Sequence, residues 1–154
     1  ISSNFERLLF EAGGRNSAEV QAAMDSLKQS GAFTIGARAL DAIRTGFSAG
    51  RSNMKETAAT IASILAKSGY LADPHTATAL KVAAGFGATD VPMVVLSTAH
   101  PAKFPDAVKA ASGVYPALPA WLSDLMERQE RFTTLSSDLK MVEDHIRTHA
   151  RAAS

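Results

Sequence analysis

The stretch VPMVVLSTAHPAKFPD, residues 91–106, decides how the chain is read. Its first half is a continuous apolar run of β-branched and long side chains, as expected of a strand buried on both faces. Its second half breaks into Thr98, His100, Pro101, Lys103 and Pro105, the pattern of a strand end followed by a helix start. The expectation is one clear buried strand near 92–98 and a helix over about 102–112. A single strand cannot satisfy its own edges, so partner strands are expected in sequence outside these residues.

Working outward, the remainder reads as a string of helices, expected at about 4–12, 17–29, 36–45, 54–68, 74–85, 119–127 and 137–149. Asn4, Asn16 or Ser17, and Ser136 or Ser137 are candidate N-caps; Gly13-Gly14, Gly31 and Gly69 are candidate stops. KETAATIASILAKS, residues 55–68, sets Ile61, Ile64 and Leu65 on one helical face. Asp73-Pro74 opens the next helix, with the aspartate at the N-cap and proline at the first helical position. FTI and FSAGRS are short extended pieces or turns. The fold class expected is therefore α/β, mostly helical, with one domain-sized stretch across 1–154.

Composition narrows the function. The chain has 154 residues, 46% hydrophobic and 20% charged, which is the balance of an ordinary globular domain. Net charge is +1, with acids and bases interspersed, so there is no electrostatic case for nucleic acid or an anionic membrane. Cysteine is absent, which excludes thiolate chemistry and disulfides and fits a reducing, cytoplasmic setting. No apolar run reaches bilayer-spanning length, and the N-terminal residues lack the pattern of a signal peptide.

Two clusters carry chemistry. Ligands of open α/β sheets bind beyond the carboxyl ends of strands, which is where Thr98, His100 and Lys103 are expected. YLADPHTA, residues 70–77, places Asp73, His75 and Thr76 in the first turn of a helix, where free backbone N–H groups favour an anion. Other features read as structural. GFGATD, residues 85–90, has an aspartate where a dinucleotide loop needs its third glycine, and it precedes a strand instead of following one. His145 and His149 have metal-ligand spacing but no third ligand nearby, so a solvated pair is expected and no metal site is assigned. Trp121 is expected to pack on the core or cover an edge.

SSNFERLLFE, KETAATI, GYLADPHTA and LSTAHPAKFPDAVKAASG, in this order and spacing, resemble the C-terminal part of threonine synthase, and LPAWLSDLMERQERFTTLSSDLKMVEDHI is similar to that family's tail. The chain departs from the family at GRSNM, where an acidic run is common, and at Thr78-Ala79, where Val-Gly is common. The resemblance implies a pyridoxal-phosphate enzyme of fold type II, the tryptophan-synthase-like fold. The activity it implies is a carbon–oxygen lyase reaction on a phosphate ester. In it O-phospho-L-homoserine and water become L-threonine and phosphate, the last step of threonine biosynthesis.

The resemblance assigns Thr98 to hydrogen-bond the cofactor's pyridine nitrogen. From charge and position, and not from the resemblance, His100 and Lys103 are candidates for the substrate phosphate, with Asp73, His75 and Thr76 for the pocket wall. The family's Schiff-base lysine lies in a Ser-Phe-Lys-Asp motif, and none of the lysines here stands in one. That lysine is expected upstream, so the N-terminal part of the same polypeptide is the implied partner. The competing reading is a non-catalytic binding or regulatory module derived from the same region.

Overall fold

The computed structural model describes residues 3–87 and 90–150. Ala88 and Thr89 of the glycine-rich segment lie outside the described residues. The chain divides into two units, Ile1–Tyr115 and Pro116–Ser154.

The first unit is helical: α1 (Ser3–Ala12), α2 (Ser17–Ser30), α3 (Ala37–Arg44), α4 (Met54–Ser68), α5 (Pro74–Ala84) and α6 (Pro105–Ser112). Local chemistry accounts for the helix ends. Asn16 caps α2, its Oδ1 accepting from Ala18 N at 3.1 Å and Glu19 N at 3.4 Å. Asn53 and Glu56 form a reciprocal capping box on α4: Glu56 N donates to Asn53 Oδ1 at 2.9 Å, and Asn53 N to Glu56 Oε2 at 2.8 Å. Gly69 ends α4 at φ 72°, the left-handed conformation that glycine adopts without a Cβ clash. Asn4, by contrast, lies inside α1, where its side chain accepts from Arg7.

The core of this unit is small. Ile61 on α4 packs with Ala72 and Ala77, all essentially inaccessible, and Leu71, Leu80 and Ala111 close around them. α4 packs on both α5 and α6, and Val108 is the buried residue of α6. α1 packs on α2 and α3, with Leu9 buried and Phe5 against Phe33 at 6.5 Å between ring centroids. Fully burying a side chain such as Ile61 stabilises by about 1.5–3 kcal/mol.

The expected strand near 92–98 is not formed, and no strand occurs among the described residues. The α/β expectation is therefore corrected: the chain is helical. Residues 92–98 carry no regular secondary structure, and Met93, Val94 and Leu96 are 55%, 78% and 73% exposed. The physical reason is that a strand is made by its neighbour. Neither FTI nor FSAGRS supplies a ladder, so the apolar run has composition without pairing. An apolar run alone does not distinguish a buried strand from an uncovered segment.

The helix expected over 102–112 begins later, at Pro105. A separate 3₁₀ turn covers Pro101–Lys103. Pro105 has no N–H to bond back to Pro101, so it can open a helix but not continue one.

The second unit holds a 3₁₀ turn, Ala120–Leu122, and one α-helix, α7 (Leu139–His149). The helix expected over 119–127 is replaced by that turn and further turns bonded three residues apart: Leu122 N to Pro119 O, Leu125 N to Leu122 O and Glu127 N to Asp124 O. Trp121 is 77% exposed, against the expectation that it packs or covers an edge. With Met126 exposed as well, no buried face rewards a regular helix here. α7 is capped by Asp138, whose Oδ1 accepts from Met141 N at 2.9 Å, and not by Ser136 or Ser137. Among the described residues, no helix is long and apolar enough to cross a membrane.

Candidate functional site

Asp73 is the centre of the site's hydrogen bonding. It is fully buried at the N-cap of α5, and its Oδ1 accepts from His75 N at 2.8 Å and Thr76 N at 3.3 Å. Its other oxygen, Oδ2, accepts from the Thr76 hydroxyl. Burying a carboxylate is costly unless donors surround it, and three do so here. No buried side-chain polar atom among the described residues lacks a partner.

Thr76, 2% exposed, extends this arrangement to residues 92–98. Its Oγ1 accepts from the backbone N–H of Thr98 at 3.1 Å. Thr98 itself is exposed, and its hydroxyl has no partner among the described residues. Next to it, the hydroxyls of Tyr70 and Ser97 lie 2.9 Å apart. Both lie inside the two quoted motifs, but the sequence reading gave neither a role, and only their place in those motifs could have pointed to them.

His75 faces elsewhere. Its ring lies 5.0 Å from that of Phe104, tilted by 39°. It also lines a groove of about 580 Å³ between α4, α5 and α6, with Ser52, Thr57, Thr78 and Ala107 among its walls. The Ser52 and Thr57 hydroxyls are 2.9 Å apart at this groove.

His100 caps the 3₁₀ turn, its Nδ1 accepting from Ala102 N at 3.2 Å. An accepting Nδ1 puts the proton of the neutral ring on Nε2, so His100 offers a donor outward. Lys103 is exposed, and its ammonium has no ion-pair partner among the described residues. The structure thus joins Asp73, Thr76 and Thr98 through hydrogen bonds and His75 with Phe104 through ring contact. It links neither His100 nor Lys103 to either group.

Elsewhere, Glu56 ion-pairs with Lys81 at 3.3 Å, and Lys81 also donates to Arg51 O at 2.8 Å. The Asn53 backbone N–H, with help from Lys81, holds the Glu56 carboxyl below its ordinary range. The His145 and His149 rings are stacked, 4.2 Å apart and inclined by 19°. In-plane lone pairs of nearly parallel rings do not converge on one ion. No group of three or more potential ligands was found among the described residues.

Residues 76–146 match the family described as "Threonine synthase, C-terminal". The threonine synthase of Pseudomonas aeruginosa is 44% identical over 97% of this chain and 32% of that protein. That of Methylobacillus glycogenes is 35% identical over 96% of this chain and 32% of its own length. Among solved structures, a pyridoxal-phosphate-bound threonine synthase from Brucella melitensis is 64% identical, with a TM-score of 0.69, over 98% of this chain and 32% of that one. The yeast enzyme is 30% identical with a TM-score of 0.61. The chain thus spans about a third of the length of the relatives it matches.

Proposed function

We propose, on the premise that the chain is the C-terminal part of a threonine synthase, that it forms one wall of a pyridoxal-phosphate site. At that site O-phospho-L-homoserine and water are converted to L-threonine and phosphate. The assembled protein is then a cytoplasmic carbon–oxygen lyase of threonine biosynthesis. Its N-terminal part supplies the Schiff-base lysine and packs on the exposed apolar segment around Met93, Val94 and Leu96.

The observation that carries this reading is the difference between Asp73 and Thr98. The Asp73 carboxylate is buried and committed to three donors, whereas the Thr98 hydroxyl is exposed on a backbone that Thr76 holds. The group offered to a ring nitrogen is therefore a neutral hydroxyl, which fits a pyridine that stays unprotonated. When bound, pyridoxal phosphate supplies the electron sink for loss of the substrate's protons and leaving group. Thr98 would orient the ring and leave its nitrogen without a full positive charge. His100, presenting Nε2–H, and Lys103, with a free ammonium, are the groups able to receive the substrate phosphate. Asp73 and His75 would support the wall and take no part in proton transfer.

Thr98→Val in the polypeptide of the complete reading frame tests the reading. Weaker cofactor binding and a moved visible absorption band are expected. A band and an affinity equal to the parent's would remove Thr98 from the cofactor.

A further inference from the structure

We infer that Thr76 is a positioning residue for Thr98, anchored by Asp73; the inference rests on the reading that Thr98 meets the cofactor. Capping α5 needs only Asp73 Oδ1, which already takes the N–H groups of His75 and Thr76. The second carboxylate oxygen and the Thr76 hydroxyl are surplus to that task, yet they bond each other in a fully buried place.

The polarity of this link is fixed. A carboxylate only accepts, so the single proton of the Thr76 hydroxyl points at Asp73 and a lone pair is left for Thr98 N–H. The negative charge behind it strengthens the hydroxyl oxygen as an acceptor.

The link also has a place to act. Among the described residues no strand ladder holds residues 92–98, and this bond ties the Thr98 backbone to the first turn of α5. The exposed Tyr70–Ser97 contact is the nearest alternative tether, and it holds side chains and not the Thr98 backbone. Small displacements of an orienting group are costly to a reaction that depends on alignment.

The test uses the complete polypeptide with cofactor. Thr76→Val removes the hydroxyl at nearly constant volume, Thr76→Ser keeps it, and Thr98→Val is the reference. Readouts are cofactor affinity, the visible band followed across pH, and exchange of the Thr98 amide proton. Thr76→Val is expected to weaken cofactor binding by about tenfold and to speed Thr98 amide exchange by about tenfold, from loss of the hydrogen bond that the Thr98 N–H donates to the Thr76 hydroxyl. It should move the band in the same direction as Thr98→Val, while Thr76→Ser stays at the parent's values.

Parent-like behaviour of Thr76→Val beside an altered Thr98→Val would overturn the inference and leave the cofactor reading standing. If Thr98→Val changes nothing, the cofactor reading fails. Amide exchange then judges the link: faster exchange in Thr76→Val supports it, and unchanged exchange overturns it. Should Thr76→Val not fold, the unmodified protein decides, because an unprotected Thr98 amide there would also overturn the inference.

Discussion

Thr98 donates its backbone N–H to the Thr76 hydroxyl oxygen at 3.1 Å across 22 residues of sequence, and that hydroxyl in turn donates to buried Asp73. Two motifs that are separate in the sequence are thereby one hydrogen-bonded unit. The support of this unit can be tested from several sides.

Asp73→Ala removes the cap of α5 and leaves the buried Thr76 hydroxyl without its acceptor. A loss of about 2–4 kcal/mol is expected from the cap and the unpaired group together. Asp73→Asn should lose less, because an amide oxygen can still take the two backbone N–H groups. Denaturant unfolding of the complete polypeptide measures both. Equal losses would show that the charge, and not the cap, is what matters.

Ile61 is 1% exposed and touches the two alanines that flank the Asp73 turn. Ile61→Ala should cost about 2–5 kcal/mol through lost burial and the cavity left behind. Thermal unfolding with and without cofactor checks this. A change confined to cofactor affinity would contradict a core role.

Gly50 approaches Val82 closely. A Cβ built on it would lie 2.6 Å from Val82 Cγ1 and 2.9 Å from Cγ2. Valine is stiff at χ1 and cannot move aside cheaply. Gly50→Ala should therefore destabilise by about 1–3 kcal/mol, and Val82→Ala in the same chain should recover part of the loss. A double-mutant cycle reads the coupling, and strict additivity would refute the clash.

Glu56 gives a pH dependence. Its folded pKa is lowered, first by the Asn53 backbone N–H and then by Lys81. A depressed carboxyl contributes stability at pH above its unfolded value, near 4.3, and that contribution is lost as pH falls through the folded value. The parent should thus be more stable than Glu56→Gln at neutral pH, with the gap closing below about pH 4. A gap that widens in acid would reverse the sign and discard the account.

Lys103→Met should raise KM for O-phospho-L-homoserine by about tenfold if its ammonium meets the substrate phosphate, the size of one lost charge-assisted bond. Steady-state kinetics of the complete enzyme read this, and an unchanged KM would take Lys103 out of the site.

The helix ends were legible because capping is local. Asp73 with Pro74 and Gly69 each act within a few residues of the backbone they satisfy, so their positions in the sequence carry the information. The same locality explains why the start of α6 moved to Pro105 once the missing N–H is considered. Residue type alone did not separate Asp138 from its serine neighbours as the cap of α7, since all three offer a side-chain oxygen.

The sequence by itself determined the family resemblance, the two motifs and most of the helical pattern, because these rest on residue identity and short-range hydrogen bonding. Tertiary structure alone decided three things: that residues 92–98 form no strand, that His75 turns towards Phe104, and that Thr76 reaches Thr98. Each depends on what lies across space from the residue. A ladder needs a neighbour, a ring needs a face to pack on, and a hydroxyl with two lone pairs and one proton is given its direction by the charge buried beside it.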